Sequence, residues 1–125
     1  MNKYGKVAVQ AVKTAQTGIH PVKAWKQAAA YEFGECKASA EKGCPKSSFL
    51  GLAEEGLIQD IPGGNYTKSE INKRYALELL RLLKQEPELV HHKSVLWKKA
   101  CGSDTKRHNG QRDVVIGLWC EGLLN

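Results

Sequence analysis

The 125-residue chain is 42% hydrophobic and 26% charged, the size and balance of one globular domain. It is neither a disordered chain nor a miniprotein that needs a disulfide or metal staple. Nineteen Lys and Arg stand against thirteen Asp and Glu, and the resulting charge of +6 suits a polyanionic partner as well as simple solubility. No apolar run approaches the ~20 residues that span a bilayer, and the stretch Met1–Lys6 opens no apolar leader core, so no membrane partner and a cytoplasmic location are expected.

Tyr4, Val7, Ala8, Ala11, Val12 and Ala15 recur at helical spacing and form one apolar stripe that ends at Gly18. Pro21 suits the first turn of a second helix, with Val22, Trp25, Ala28, Ala29 and Phe33 on its inner face. Residues 34–43 read as a polar connection. A third helix opens near Pro45, carries Phe49, Leu52 and Ala53, and stops at Gly56, with Leu57 placed for the Schellman contact to Leu52. Ile61-Pro62-Gly63-Gly64-Asn65 is a turn-rich linker, after which Thr67 and Glu70 read as a capping box. The fourth helix carries Tyr75, Ala76, Leu79, Leu82 and Leu83 up to Pro87. A short fifth helix runs from about Ser94 through Trp97, Ala100 and Cys101. Residues 102–110 form a second polar connection, and a sixth helix holds Val114, Val115, Leu118 and Trp119 before Gly122 and Leu123. No segment alternates with the period of a strand.

The two halves repeat one another. Tyr4, Lys13 and His20 match Tyr75, Lys84 and His91 at a spacing of 71; Trp25, Lys26 and Ala28 match Trp97, Lys98 and Ala100 at 72. Gly51, Leu52, Glu55, Gly56 and Leu57 match Gly117, Leu118, Glu121, Gly122 and Leu123 at 66, the change of spacing falling in the polar connection. The expected fold is therefore all-α: one six-helix domain over 1–125, an internal duplication with approximate two-fold symmetry. Residues 1–58 form one three-helix half, 59–66 the linker and 67–125 the other half. The alternative is that similar helix ends merely need similar caps.

The runs Gly43-Cys44-Pro45-Lys46, Phe49-Leu50-Gly51-Leu52, Glu54-Glu55-Gly56-Leu57-Ile58 and Ile61-Pro62, with Gly64-Asn65-Tyr66-Thr67 after them, resemble a family of small uncharacterised bacterial proteins. The resemblance extends to Asn2–Ala8 and Leu118–Leu123. It implies a bacterial origin and one helical domain, and carries over no catalytic residue.

The chemistry is sparse. Trp25 and Trp97 belong to apolar faces and read as core. Gly51 and Gly117 cost helix stability, which suggests close approach of another backbone. His20, His91, His92 and His108 with Cys36, Cys44, Cys101 and Cys120 match no compact zinc spacing, so neither metal nor cofactor is expected, and the thiols are expected to be free. Cys44 at a helix start is conceivable as a nucleophile, but no base lies near it in sequence. Glu54 and Glu55 read as a solvated face.

The basic groups remain. Lys42, Lys46 and Ser47 in one connection and Lys106, Arg107, His108 and Arg112 in the other lie near predicted helix N-termini, where a cation opposes the macrodipole unless an anion sits between. The first expectation is thus a non-enzymatic module that binds nucleic acid or another polyanion, with helices two and three of each half as a helix-turn-helix pair, although the connection between them is long for that motif. The runner-up is an adaptor with a protein partner, and a small enzyme or toxin using Cys44 stands third.

Overall fold

The computed structural model describes residues 2–103 and 106–125; Met1, and Asp104 and Thr105 of the second polar connection, lie outside the described residues. The structure is all-helical. In chain order come α1 (Lys3–Gln16), α2 (Pro21–Phe33), the single turn α3 (Lys37–Ala40), α4 (Gly43–Glu54), α5 (Glu70–Gln85), a 3₁₀ turn (Pro87–His91), α6 (Lys93–Cys101) and α7 (Gln111–Cys120). The described residues contain no strand, only an isolated antiparallel bridge between Ile58 and Leu124.

Local chemistry fixes the ends of the first two helices. The Asn2 carboxamide accepts from the Tyr4 N–H at 2.7 Å and caps α1. His20 Nδ1 accepts from the Val22 N–H at 3.2 Å, and Pro21 takes the first position of α2. The expected connection over 34–43 contains the one-turn helix α3.

Two central helices organise the rest. Ser48–Ala53 of α4 and Asp113–Leu118 of α7 are buried at every position, which marks helices enclosed on all sides. The helices α4 and α7 pack on each other, α5 covers α4, and α1 covers α7. The expected close approaches are present. A Cβ on Gly51 would lie 2.8 Å from Lys73 Cα of α5, and one on Gly117 would lie 2.7 Å from Gly5 Cα of α1.

Both central helices end as the glycines predict. Leu57 N–H donates to Leu52 O at 3.1 Å, and Leu123 N–H donates to Leu118 O at 3.0 Å. Gly56 and Gly122 supply the left-handed residue. The chain segments that follow then meet at Ile58 and Leu124. At the opposite end, a Cβ on Gly110 would lie 3.0 Å from Pro45 Cβ. So α4 and α7 run side by side in the same direction, with both N-termini at one end of the molecule.

Two expectations are corrected between α4 and α5. No capping box forms at Thr67 and Glu70: α5 starts at Glu70, after Ser69, and the Thr67 hydroxyl accepts instead from the Ser69 N–H. The Thr67 amide is already taken, because the Glu54 carboxylate accepts from the N–H groups of Tyr66 (2.9 Å) and Thr67 (3.1 Å). Glu54 is likewise not on a solvated face, whereas Glu55 is exposed as expected. Lys73 Nζ reaches both, at 2.5 and 2.8 Å, and the Glu54 side chain is 8% exposed. Lys73 and the two amides hold its carboxyl below the ordinary carboxylate range.

Candidate anion-binding site

The shared direction of α4 and α7 brings the two basic connections to the same end. Lys42, which precedes α4, lies with Nζ 5.8 Å from the Tyr4 ring centroid; Lys106, which precedes α7, lies 5.5 Å from that of Tyr75. Each ring steadies its ammonium by attraction to the π face. The two connections sense one another, because Lys42 adds its field to that of Arg112 at His108.

The second connection builds a cleft. Trp97 of α6, 5% exposed, donates its indole N–H to Lys106 O at 2.8 Å, which ties the connection down over α6. Above it opens a cleft of about 460 Å³, walled by Ser94, Val95, Trp97, Lys98, Ser103, Lys106, Arg107, His108 and Arg112. Four of these nine are cations. The N–H groups of the first turn of α7 emerge beside Arg112, since Gly110 precedes the helix and offers no side-chain cap.

The lining of this cleft is under-satisfied. His108 Nδ1 and Arg112 Nε are buried without a hydrogen-bond partner among the described residues. Both face the buried carboxylate of Asp113, at 3.7 and 3.6 Å, beyond good hydrogen-bonding range. Burial pushes the His108 imidazole below its ordinary pKa; Arg112 and Lys42 add to the effect and Asp113 opposes it. The neutral ring is therefore favoured.

Lys46 lies elsewhere. It lines a second cleft of about 490 Å³ between α2, α3 and α4, with Trp25, Lys26, Ala30, Gly34, Lys37, Ala40 and Glu41. Ser47 is half-buried and lines neither cleft. Of the predicted residues, then, Lys106, Arg107, His108 and Arg112 share one cleft, Lys46 belongs to another, and Lys42 stands on Tyr4. The helix-turn-helix expectation fails on burial: α4 and α7, which would have to enter a groove, have no exposed face along their middle turns.

A family model matches the chain over residues 1–125. The chain belongs to DUF6979, a family of unknown function. No curated protein and no solved structure matches it. This DUF6979 domain has no helix long and apolar enough to cross a membrane, and no group of three or more His, Cys, Asp or Glu among its described residues could hold a metal ion. Its four cysteines are unpaired. Cys44 is half-buried in the first turn of α4, and at Cys36 the Ser39 hydroxyl 3.2 Å away holds the thiol below its usual range. The cleft cations that sequence reasoning missed in this DUF6979 member are Lys98 in one cleft and Lys26 in the other, whereas Lys37 counts among the basic groups of the first connection. A signal for both was present: a Lys follows the buried Trp in each half, and was read only as a mark of repetition.

Proposed function

We propose that the domain is a non-catalytic module that binds nucleic acid or a similar polyanion by its phosphate groups, seated in the cleft between α6 and the start of α7. The observation that carries this reading is that His108 and Arg112, whose buried Nδ1 and Nε have no hydrogen-bond partner among the described residues, line one cleft with the cations Lys106 and Arg107. A buried polar group without a partner costs about 1–3 kcal/mol, and an anion between Arg112 and the N-terminal amides of α7 would remove part of that cost. The Asp113 carboxylate lies 3.7 Å from His108 Nδ1 and 3.6 Å from Arg112 Nε, which keeps the imidazole and the guanidinium side by side in the lining.

Such a site contacts phosphates and carries no base readout, so binding would be tolerant of sequence and steep in salt. In a bacterial cytoplasm, where this reading places the protein, nucleic acid is the abundant polyanion. The test is a titration with single-stranded and duplex oligonucleotides at several salt concentrations, for the wild type and for a Lys106→Ala/Arg107→Ala variant. The expected result is salt-dependent binding whose log–log slope flattens by about two in the variant, one for each phosphate contact removed. Wild-type protein that binds neither oligonucleotide in a salt-dependent way would overturn the reading and leave the adaptor role.

A further inference from the structure

The second cleft repeats the first. Trp25-Lys26 of α2 stands to it as Trp97-Lys98 of α6 stands to the cleft described above, at a spacing of 72 residues. Lys46 at the start of α4 stands in it as Arg112 stands at the start of α7, at a spacing of 66. Beside each cleft a lysine rests on a tyrosine ring, Lys42 on Tyr4 and Lys106 on Tyr75. The volumes, about 490 and 460 Å³, are alike.

One difference points to a ligand. Trp97 gives its indole N–H to Lys106 O, whereas Trp25, 1% exposed, has a buried Nε1 with no acceptor among the described residues. The ring of Trp25 packs on Phe49 at 5.2 Å, and the residue lines a cleft whose charged members are Lys26, Lys37 and Lys46 against the single carboxylate of Glu41. Burial, and then the charge of Lys26, lower the pKa of Lys46, so a nearby anion would ease the crowding of cations in this second cleft.

We propose that the cleft beneath Trp25 is a second phosphate-binding site, the counterpart of the one at Trp97 in a duplicated fold, so that one chain holds two phosphate groups at once. This rests on the phosphate-binding reading of the first cleft. The two sites lie on adjoining connections, and one polyanion can engage both. Occupancy of the second site then raises affinity by making its binding intramolecular.

The experiment is an NMR titration of full-length ¹⁵N-labelled protein with inorganic pyrophosphate, read at the indole N–H signals of Trp25 and Trp97, with stoichiometry from calorimetry. Both indole signals should move in the wild type, at a stoichiometry of two. Lys26→Ala/Lys46→Ala should silence the Trp25 response alone and halve the stoichiometry; Lys106→Ala/Arg107→Ala should do the converse. Because Lys46 is half-buried, Lys26→Gln with Lys46→Gln repeats the test with less loss of packing. An oligonucleotide arm separates free phosphate from nucleic acid: there the Lys26/Lys46 variant should lower the salt slope by about one or more. A Trp97 response alone, at a stoichiometry of one, would overturn this inference and leave the first cleft standing. No response at either indole would overturn the phosphate reading itself.

Discussion

Ile58 and Leu124, 66 positions apart, face each other across an antiparallel bridge whose two hydrogen bonds are reciprocal: Gln59 N–H donates to Leu123 O at 2.9 Å and Asn125 N–H donates to Leu57 O at 2.8 Å. Every residue in this exchange has its partner at the same spacing. The burial is unequal, however. Ile58 is 1% exposed, whereas Leu124 is half-buried. Ile58→Ala should therefore cost about 3 kcal/mol and Leu124→Ala about 1 kcal/mol. Urea unfolding at constant m-value measures both, and a reversed order would mean that the bridge is held from the Leu124 side.

Glu54 ties the linker to α4 and should make stability depend on acid. Its folded pKa is depressed, by Lys73 first and then by the Tyr66 and Thr67 amides. That contribution is present above the ordinary carboxylate range and is lost as pH falls below about 4.3. Glu54→Gln should destabilise the protein by about 2 kcal/mol at pH 7, since it leaves amides and an ammonium poorly matched. The gap between variant and wild type should narrow as pH falls below the ordinary carboxylate range. An unchanged gap would show that the carboxylate charge is not what matters.

The two tryptophans make different demands on their surroundings. Trp97→Phe removes the donor to Lys106 O and should cost about 1–2 kcal/mol, together with weaker anion binding as the connection loosens. Trp25→Phe gives up no hydrogen bond and should cost less than its counterpart. Thermal melts of the two variants, paired with the oligonucleotide titration, decide the matter; identical losses in both would refute it.

His108 supplies a pH signature for binding. Its folded pKa is lowered, so the neutral ring is favoured and its stabilising contribution fades as pH falls through about 6.5, the ordinary value for histidine. A phosphate in the cleft offsets the fields of Arg112 and Lys42 and raises that pKa, so binding takes up a proton. Affinity for an oligonucleotide should then rise between pH 7.5 and pH 5.5, and His108→Gln should flatten the rise. A wild-type profile without slope would count against an anion next to His108.

Much of the fold could be read from residue order. The apolar stripes of α1 and α5, Pro21 at the head of α2 and the caps at Gly56 and Gly122 all rest on local rules that act within a turn or two of helix. What escaped is set by distant partners. The acceptors that Glu54 offers lie 12 and 13 positions from the amides they satisfy, so Thr67 looked like a cap when its own amide was already engaged. Lys26 and Lys98 stand in the sequence only as matched positions beside core tryptophans, because it is the distant residues Lys46 and Arg112 that complete the walls they belong to. Lys46 and Arg112 were paired by spacing, and the structure gives them matching places in separate clefts.

The common direction of α4 and α7 has a consequence for how the molecule behaves in an electric field. Antiparallel neighbours cancel their macrodipoles, but these two add, and Lys42, Lys106 and Arg107 stand at the positive end. These two helices thus contribute a dipole along their common axis with its positive end among the basic connections. Near a strongly negative polyelectrolyte the protein experiences a torque before any contact, within about one Debye length, which is roughly 30 Å in dilute salt.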